Sequence, residues 1–134
     1  MKKAAAKLDD TVKGKDQHDV YYTDNSGKHS STQEMEFKGT IFGNCSGNVR
    51  INSKAAATVG SKAKNSTDHT VTAPATDFEH PPSNEGTISE GTNQVKINGK
   101  GAAYDGSHAT TCNDKGQTNN SSVEVSGANV FVGV

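Results

Sequence analysis

One short unit recurs three times along these 134 residues, with its parts always in the same order. Val49-Arg50-Ile51-Asn52-Ser53-Lys54-Ala55-Ala56 returns as Val95-Lys96-Ile97-Asn98-Gly99-Lys100-Gly101-Ala102-Ala103, and Gly-Thr-Ile precedes each, at Gly39-Thr40-Ile41 and Gly86-Thr87-Ile88. The opening Lys3-Ala4-Ala5-Ala6 matches Lys54-Ala55-Ala56-Ala57, and a degenerate copy, Val123-Glu124-Val125 through Val130-Phe131-Val132, closes the chain. A unit this short cannot bury an apolar face alone, so the copies must share one core. The reading is a single domain, 1–134, with repeats at approximately 1–53, 54–99 and 100–134.

In Val95-Lys96-Ile97 the two apolar residues face one side and lysine the other, which is strand periodicity. Each repeat reads as a β-hairpin: Thr40-Ile41, Thr87-Ile88 or Val123-Val125, then a turn such as Gly43-Asn44 to Gly47 or Glu90 to Asn93, then the alternating strand. Helical periodicity is confined to at most one turn within residues 1–7. The expected fold is all-β, a small pseudo-threefold β-cone of three hairpin repeats with long polar loops at 19–38 and 70–85. Apolar residues are 30% and aromatics 5%, with no Trp, so the core is thin and a staple is needed.

The run Val-x-Ile-Asn-Gly-x-x-Ala-Ala, a polar loop bearing His or Cys, and Gly-Thr-Ile resembles the PAAR-repeat family. The proline and arginine of the family motif are replaced in every copy, at Ala4-Ala5-Ala6-Lys7, Lys54-Ala55-Ala56-Ala57 and Gly101-Ala102-Ala103-Tyr104. The resemblance implies a sharp β-cone seated on the blunt end of a trimeric β-helical spike (VgrG-like or tail spike) in a contractile injection machine. It also implies transient contact with a target membrane, cargo effectors near the tip, and zinc near the apex held by three His and one Cys. Val49, Ile51, Val95, Ile97, Val130 and Val132 would face the spike. The alternative is a free-standing zinc-binding β-domain used as an adaptor or effector-delivery module; an unrelated metal-free β-helical adhesin repeat is a third reading.

The spacing itself points to metal. His18 and His69 both lie 12 residues after the last alanine of their motifs, Ala6 and Ala57, and Cys112 lies nine after Ala103. A threefold fold brings the three together, and mixed His/Cys sets of four hold structural zinc. The fourth ligand is expected to be His80, stiffened by Pro81-Pro82, with His29 and His108 as alternatives. Iron is the other metal such a set admits. Cys45, outside the repeated register, reads as a free thiol.

No His-Glu-x-x-His, nucleophile elbow or phosphate loop occurs, so the chain is expected not to be an enzyme. A net charge of −1 offers no electrostatic case for nucleic acid. No apolar stretch follows Lys2-Lys3, so synthesis in the cytoplasm without a signal peptide is expected, followed by assembly at the spike tip and delivery outside the cell.

Overall fold

Three alanines set the axis of the fold. In the computed structural model, which describes residues 1–114 and 121–134, the N–H of Ala6 donates to the carbonyl of Ala103 (2.9 Å). That of Ala57 donates to Ala6 (3.0 Å), and that of Ala103 to Ala57 (3.0 Å). The donations close a circle of equivalent residues. A second circle runs beside it, from Leu8 to Ala55, Val59 to Gly101 and Asp105 to Ala4. All three axial alanines are fully buried. A methyl group suits three backbones that approach this closely, because a densely packed interior leaves no room for more.

In chain order the strands are β1 (Lys2–Ala4), β2 (Thr11–Asp24), β3 (Gly27–Gly43), β4 (Arg50–Ile51), β5 (Lys54–Ala55), β6 (Lys62–Asn65), β7 (Asp77–Phe78), β8 (Glu85–Ile88), β9 (Lys96–Ile97), β10 (Lys100–Gly101), β11 (His108–Thr110), β12 (Ser121–Glu124) and β13 (Phe131–Gly133). No helix occurs among the described residues. β4 with β5, β9 with β10 and β13 with β1 form three two-stranded antiparallel ribbons, the third joining the two ends of the chain. The larger sheet runs β12-β11-β8-β6-β3-β2 and closes on itself through β12 and β2, with β7 added beside β2. Closure removes most of the sheet edges that would otherwise invite foreign strands.

The paired alanines divide the interior into two clusters, because neighbouring residues of an extended chain face opposite ways. Ala5, Ala56 and Ala102 pack with Ile51, Ile97 and Val132 on the ribbon side, hereafter the base. Ala6, Ala57 and Ala103 pack with Val12, Ile41, Ala63, Ile88, Ala109, Val123 and Phe37 on the other side. This equivalence agrees with the internal repeat match, whereas the family motif in the second copy sits one residue later than Lys54-Ala55-Ala56-Ala57, with Thr58 standing where Lys7 and Tyr104 stand. Each copy then turns a corner whose cap is the same. The N–H of Lys7 is accepted by Asp10 Oδ2 (3.0 Å), that of Thr58 by Ser61 Oγ (2.9 Å) and that of Tyr104 by Ser107 Oγ (2.9 Å).

Three local expectations change. Residues 19–38 are not a loop: β2 and β3 run as one long hairpin, in register from Thr11↔Thr40 to Asp24↔Gly27. Its turn at Asn25 and Ser26 is secured by the Ser26 N–H on Asp24 Oδ1 (2.8 Å). Residues 2–4 are strand, since pairing with β13 overrides the helical preference of alanine. Thr40-Ile41 pairs with β2 and β6 rather than with Val49–Ile51, and the tight turns lie at Asn52-Ser53 and Asn98-Gly99. These central residues all have positive φ (51° and 66°, 54° and 82°), as a two-residue type I′ hairpin turn requires.

Ser53 thus holds a left-handed conformation that its counterpart Gly99 adopts without a Cβ penalty. Ser53→Gly is expected to stabilise the protein by about 0.5–1 kcal/mol in urea titration. A loss of stability would show that the serine side chain contributes more than its backbone strain costs.

Candidate metal centre

β2 alternates cleanly where it passes over the axis: Val12, Asp16, His18 and Val20 are buried, while Lys13, Lys15 and Tyr21 are not. This period of two places Asp16 and His18 on the same inward face. His69 comes from the segment after β6, held by its N–H on Asn84 Oδ1 (2.9 Å), and Cys112 follows β11. The four side chains meet above the upper apolar cluster, against which Cys112 also packs.

One ligand atom from each of Asp16, His18, His69 and Cys112 lies within 4.8 Å of the others. His69 Nε2 is 2.8 Å from Asp16 Oδ2, the Cys112 thiol donates to Asp16 Oδ2 (3.2 Å), and Cys112 Sγ is 3.7 Å from His18 Nε2. Thr111 Oγ1 also donates to Asp16. The two imidazoles are 5.1 Å apart, with Phe78 edge-on to His18 and Phe37 edge-on to His69. His18 Nδ1 faces Asp114 Oδ1 at 3.0 Å, and the other Asp114 oxygen accepts the Asp19 N–H (2.7 Å). A carboxylate on one imidazole nitrogen directs the lone pair of the other toward a metal.

The donor set fits a divalent cation. It offers two imidazoles, a thiol and a carboxylate, converging, three of the four buried, which is a zinc-type mixture. Burial, and then the hydrogen bond and charge of Asp16, push the Cys112 thiol up to about 12, so it is protonated when no cation is present. A bound cation reverses this preference and takes the thiolate.

The structure thus brings His18, His69 and Cys112 together and joins Asp16 to them. His80 is exposed and groups instead with Asp19 and Glu79. Between His80-Pro81-Pro82-Ser83 and Cys112-Asn113-Asp114 lies an open cavity of about 410 Å³. His29 sits on the outer hairpin, stacked on Tyr22 and 3.0 Å from Asp24, and His108 is exposed beside Glu90. Cys45 is half-buried against the upper cluster, its thiol raised by burial. Asp16 was legible as a partner of His18 only if residues 11–20 were read as a strand, where i and i+2 share a face.

A family model described as the PAAR motif matches residues 33–115, a span that includes His69 and Cys112 while Asp16 and His18 precede it. No curated protein matches the chain, and no solved structure does. PAAR-motif proteins are structural spike-tip proteins of type VI and related contractile machinery. The match covers more than half of a chain that is all-β and built on a threefold circle of paired alanines, and the chain belongs to the PAAR-motif family.

Proposed function

We propose that this protein is the membrane-piercing tip of a contractile injection machine, seated by its ribbon base on a trimeric spike and stiffened at the other end by a structural zinc. The observation that carries this reading is the base. Three two-stranded ribbons surround the axis, each leaving an edge without a strand neighbour among the described residues, around an apolar cluster that includes Ile51, Ile97 and Val132. A threefold partner can extend all three ribbons at once by strand addition, which satisfies these edges.

In the same reading Asp16, His18, His69 and Cys112 hold the zinc, with Asp16 in the position that the sequence reading gives to His80. A zinc held there would supply cross-linking and no chemistry on a substrate, because its ligands tie β2 to the segments after β6 and β11, where the apolar core has ended. Asp114 orients His18, and Phe37 and Phe78 hold the imidazole planes. The role is mechanical, and assembly on the spike carries the chain out of the cell with the rest of the particle.

Co-expression with the trimeric spike protein of the same source is expected to yield a complex of one chain per spike trimer, read by mass on light scattering. Clean separation of the two proteins on a sizing column would overturn the reading.

A further inference from the structure

The three base ribbons carry charge of one sign. Their strands hold Lys2, Lys3, Arg50, Lys54, Lys96 and Lys100, six of the fourteen Lys and Arg residues in the chain, and none of its fifteen Asp and Glu residues. The placement follows the threefold axis. Lys54 pairs with Ile51, Lys100 with Ile97 and Lys3 with Val132, so each of the three large apolar residues of the base cluster has a lysine directly across its ribbon. Arg50 and Lys96 occupy a second equivalent position, and Phe131, 56% exposed, takes it in the third copy. Among the described residues only Lys54 of these six has a carboxylate partner, Asp9 at 2.7 Å.

A chain of net charge −1 has therefore gathered six cations around one end, five of them without a carboxylate partner among the described residues. Held this close together they repel one another, and the arrangement favours an anionic counterpart. We propose that the base recognises a protein end whose rim carries carboxylates opposite Lys3, Lys54 and Lys100, surrounding an apolar centre that meets Ile51, Ile97 and Val132. This rests on the spike-cap reading and adds the chemistry of the partner surface. A protein end fits better than a lipid surface or a nucleic acid, because only another backbone can also pair the free ribbon edges. Rim charge of this kind acts chiefly on the rate of encounter and is screened by salt.

The test uses the full chain and the trimeric spike protein in interferometry, across about 50 to 400 mM NaCl, where the screening length falls from about 14 to 5 Å. The association rate is expected to fall at least about tenfold over that range. The triple variant Lys3→Gln, Lys54→Gln, Lys100→Gln is expected to associate about tenfold more slowly at low salt and to lose most of the salt dependence. Its melting curve should nearly match the parent, since these side chains are in neither apolar cluster and the one ion pair lost, Lys54 with Asp9, is exposed. A complex that forms at the same rate at all salt concentrations, with the triple variant unaffected, overturns the carboxylate rim and leaves the spike cap standing. Failure of the parent chain to bind the spike at any salt concentration removes both. Lysine-dependent binding to phosphatidylglycerol vesicles or duplex DNA, without spike binding, would assign the cations to another partner and overturn the proposal.

Discussion

Stripping metal from the purified protein with a chelator is expected to lower its unfolding midpoint by more than about 10 °C. Structural zinc contributes roughly 10–16 kcal/mol of apparent binding free energy at neutral pH, against about 5–15 kcal/mol for the whole stability of a domain. Even a quarter of that contribution, at roughly 4 °C per kcal/mol for a domain of this length, gives a shift of this size. Cys112→Ser and Asp16→Asn should each reduce bound zinc from about one equivalent to a small fraction, whereas His80→Ala, outside the four converging side chains, should leave it bound. Because the Cys112 thiol is pushed up to about 12 without a cation, loading at pH 8 must also release about one proton from it. Calorimetry in buffers of different ionisation heat measures that proton, and Cys112→Ser should abolish it. The metal-free fold should further lose stability above about pH 9, since the unfolded thiol releases its proton there and the folded one retains it. Unchanged melting after complete metal removal would show that the four residues are not a structural site.

Asp10→Ala is expected to cost about 3–5 kcal/mol, among the largest losses open to a single substitution in this chain. Lys7 and Asp10 are buried (5% and 2% exposed), and Lys7 Nζ contacts both Asp10 oxygens at 3.1 and 3.2 Å. Removing the carboxylate leaves an ammonium in the interior and takes the acceptor from the Lys7 N–H. The other two copies show how the fold manages without charge, since Ser61 and Ser107 cap Thr58 and Tyr104 with a hydroxyl. The double variant Lys7→Thr, Asp10→Ser borrows the second copy's pair and is expected to fall within about 1.5 kcal/mol of the parent. The remaining loss reflects the hydrogen bonds that tie Lys7 and Asp10 to Ser126. Urea titration of the single and double variants measures the difference. A double variant as damaged as Asp10→Ala would mean that the ion pair does more than cap the corner.

The parts of this protein that are legible in its sequence are those that depend on local order. Val-x-Ile alternation and the recurring Ala-Ala pairs specify an all-β chain in three copies, and equal offsets from those pairs bring His18 and His69 into one register, with Cys112 in the shorter third copy. Residues 19–38 were illegible as strand because their alternation is polar on both faces over most of the hairpin. Ser30, Ser31 and Thr32 carry no hydrophobic period, and the pairing there is stabilised by the partner strand rather than by burial. The same gap concealed Asp16, whose face is defined only once β2 is extended.

The sequence by itself therefore determined the repeat, the strand character and three of the four converging side chains, because periodicity and spacing are properties of adjacent residues. The tertiary structure decided which strands pair, that the two termini close the third ribbon, and that Asp16 rather than His80 stands with His18, His69 and Cys112. Those choices depend on which backbones meet around the circle of Ala6, Ala57 and Ala103, and contacts between residues fifty or a hundred positions apart leave no period in the chain to be read.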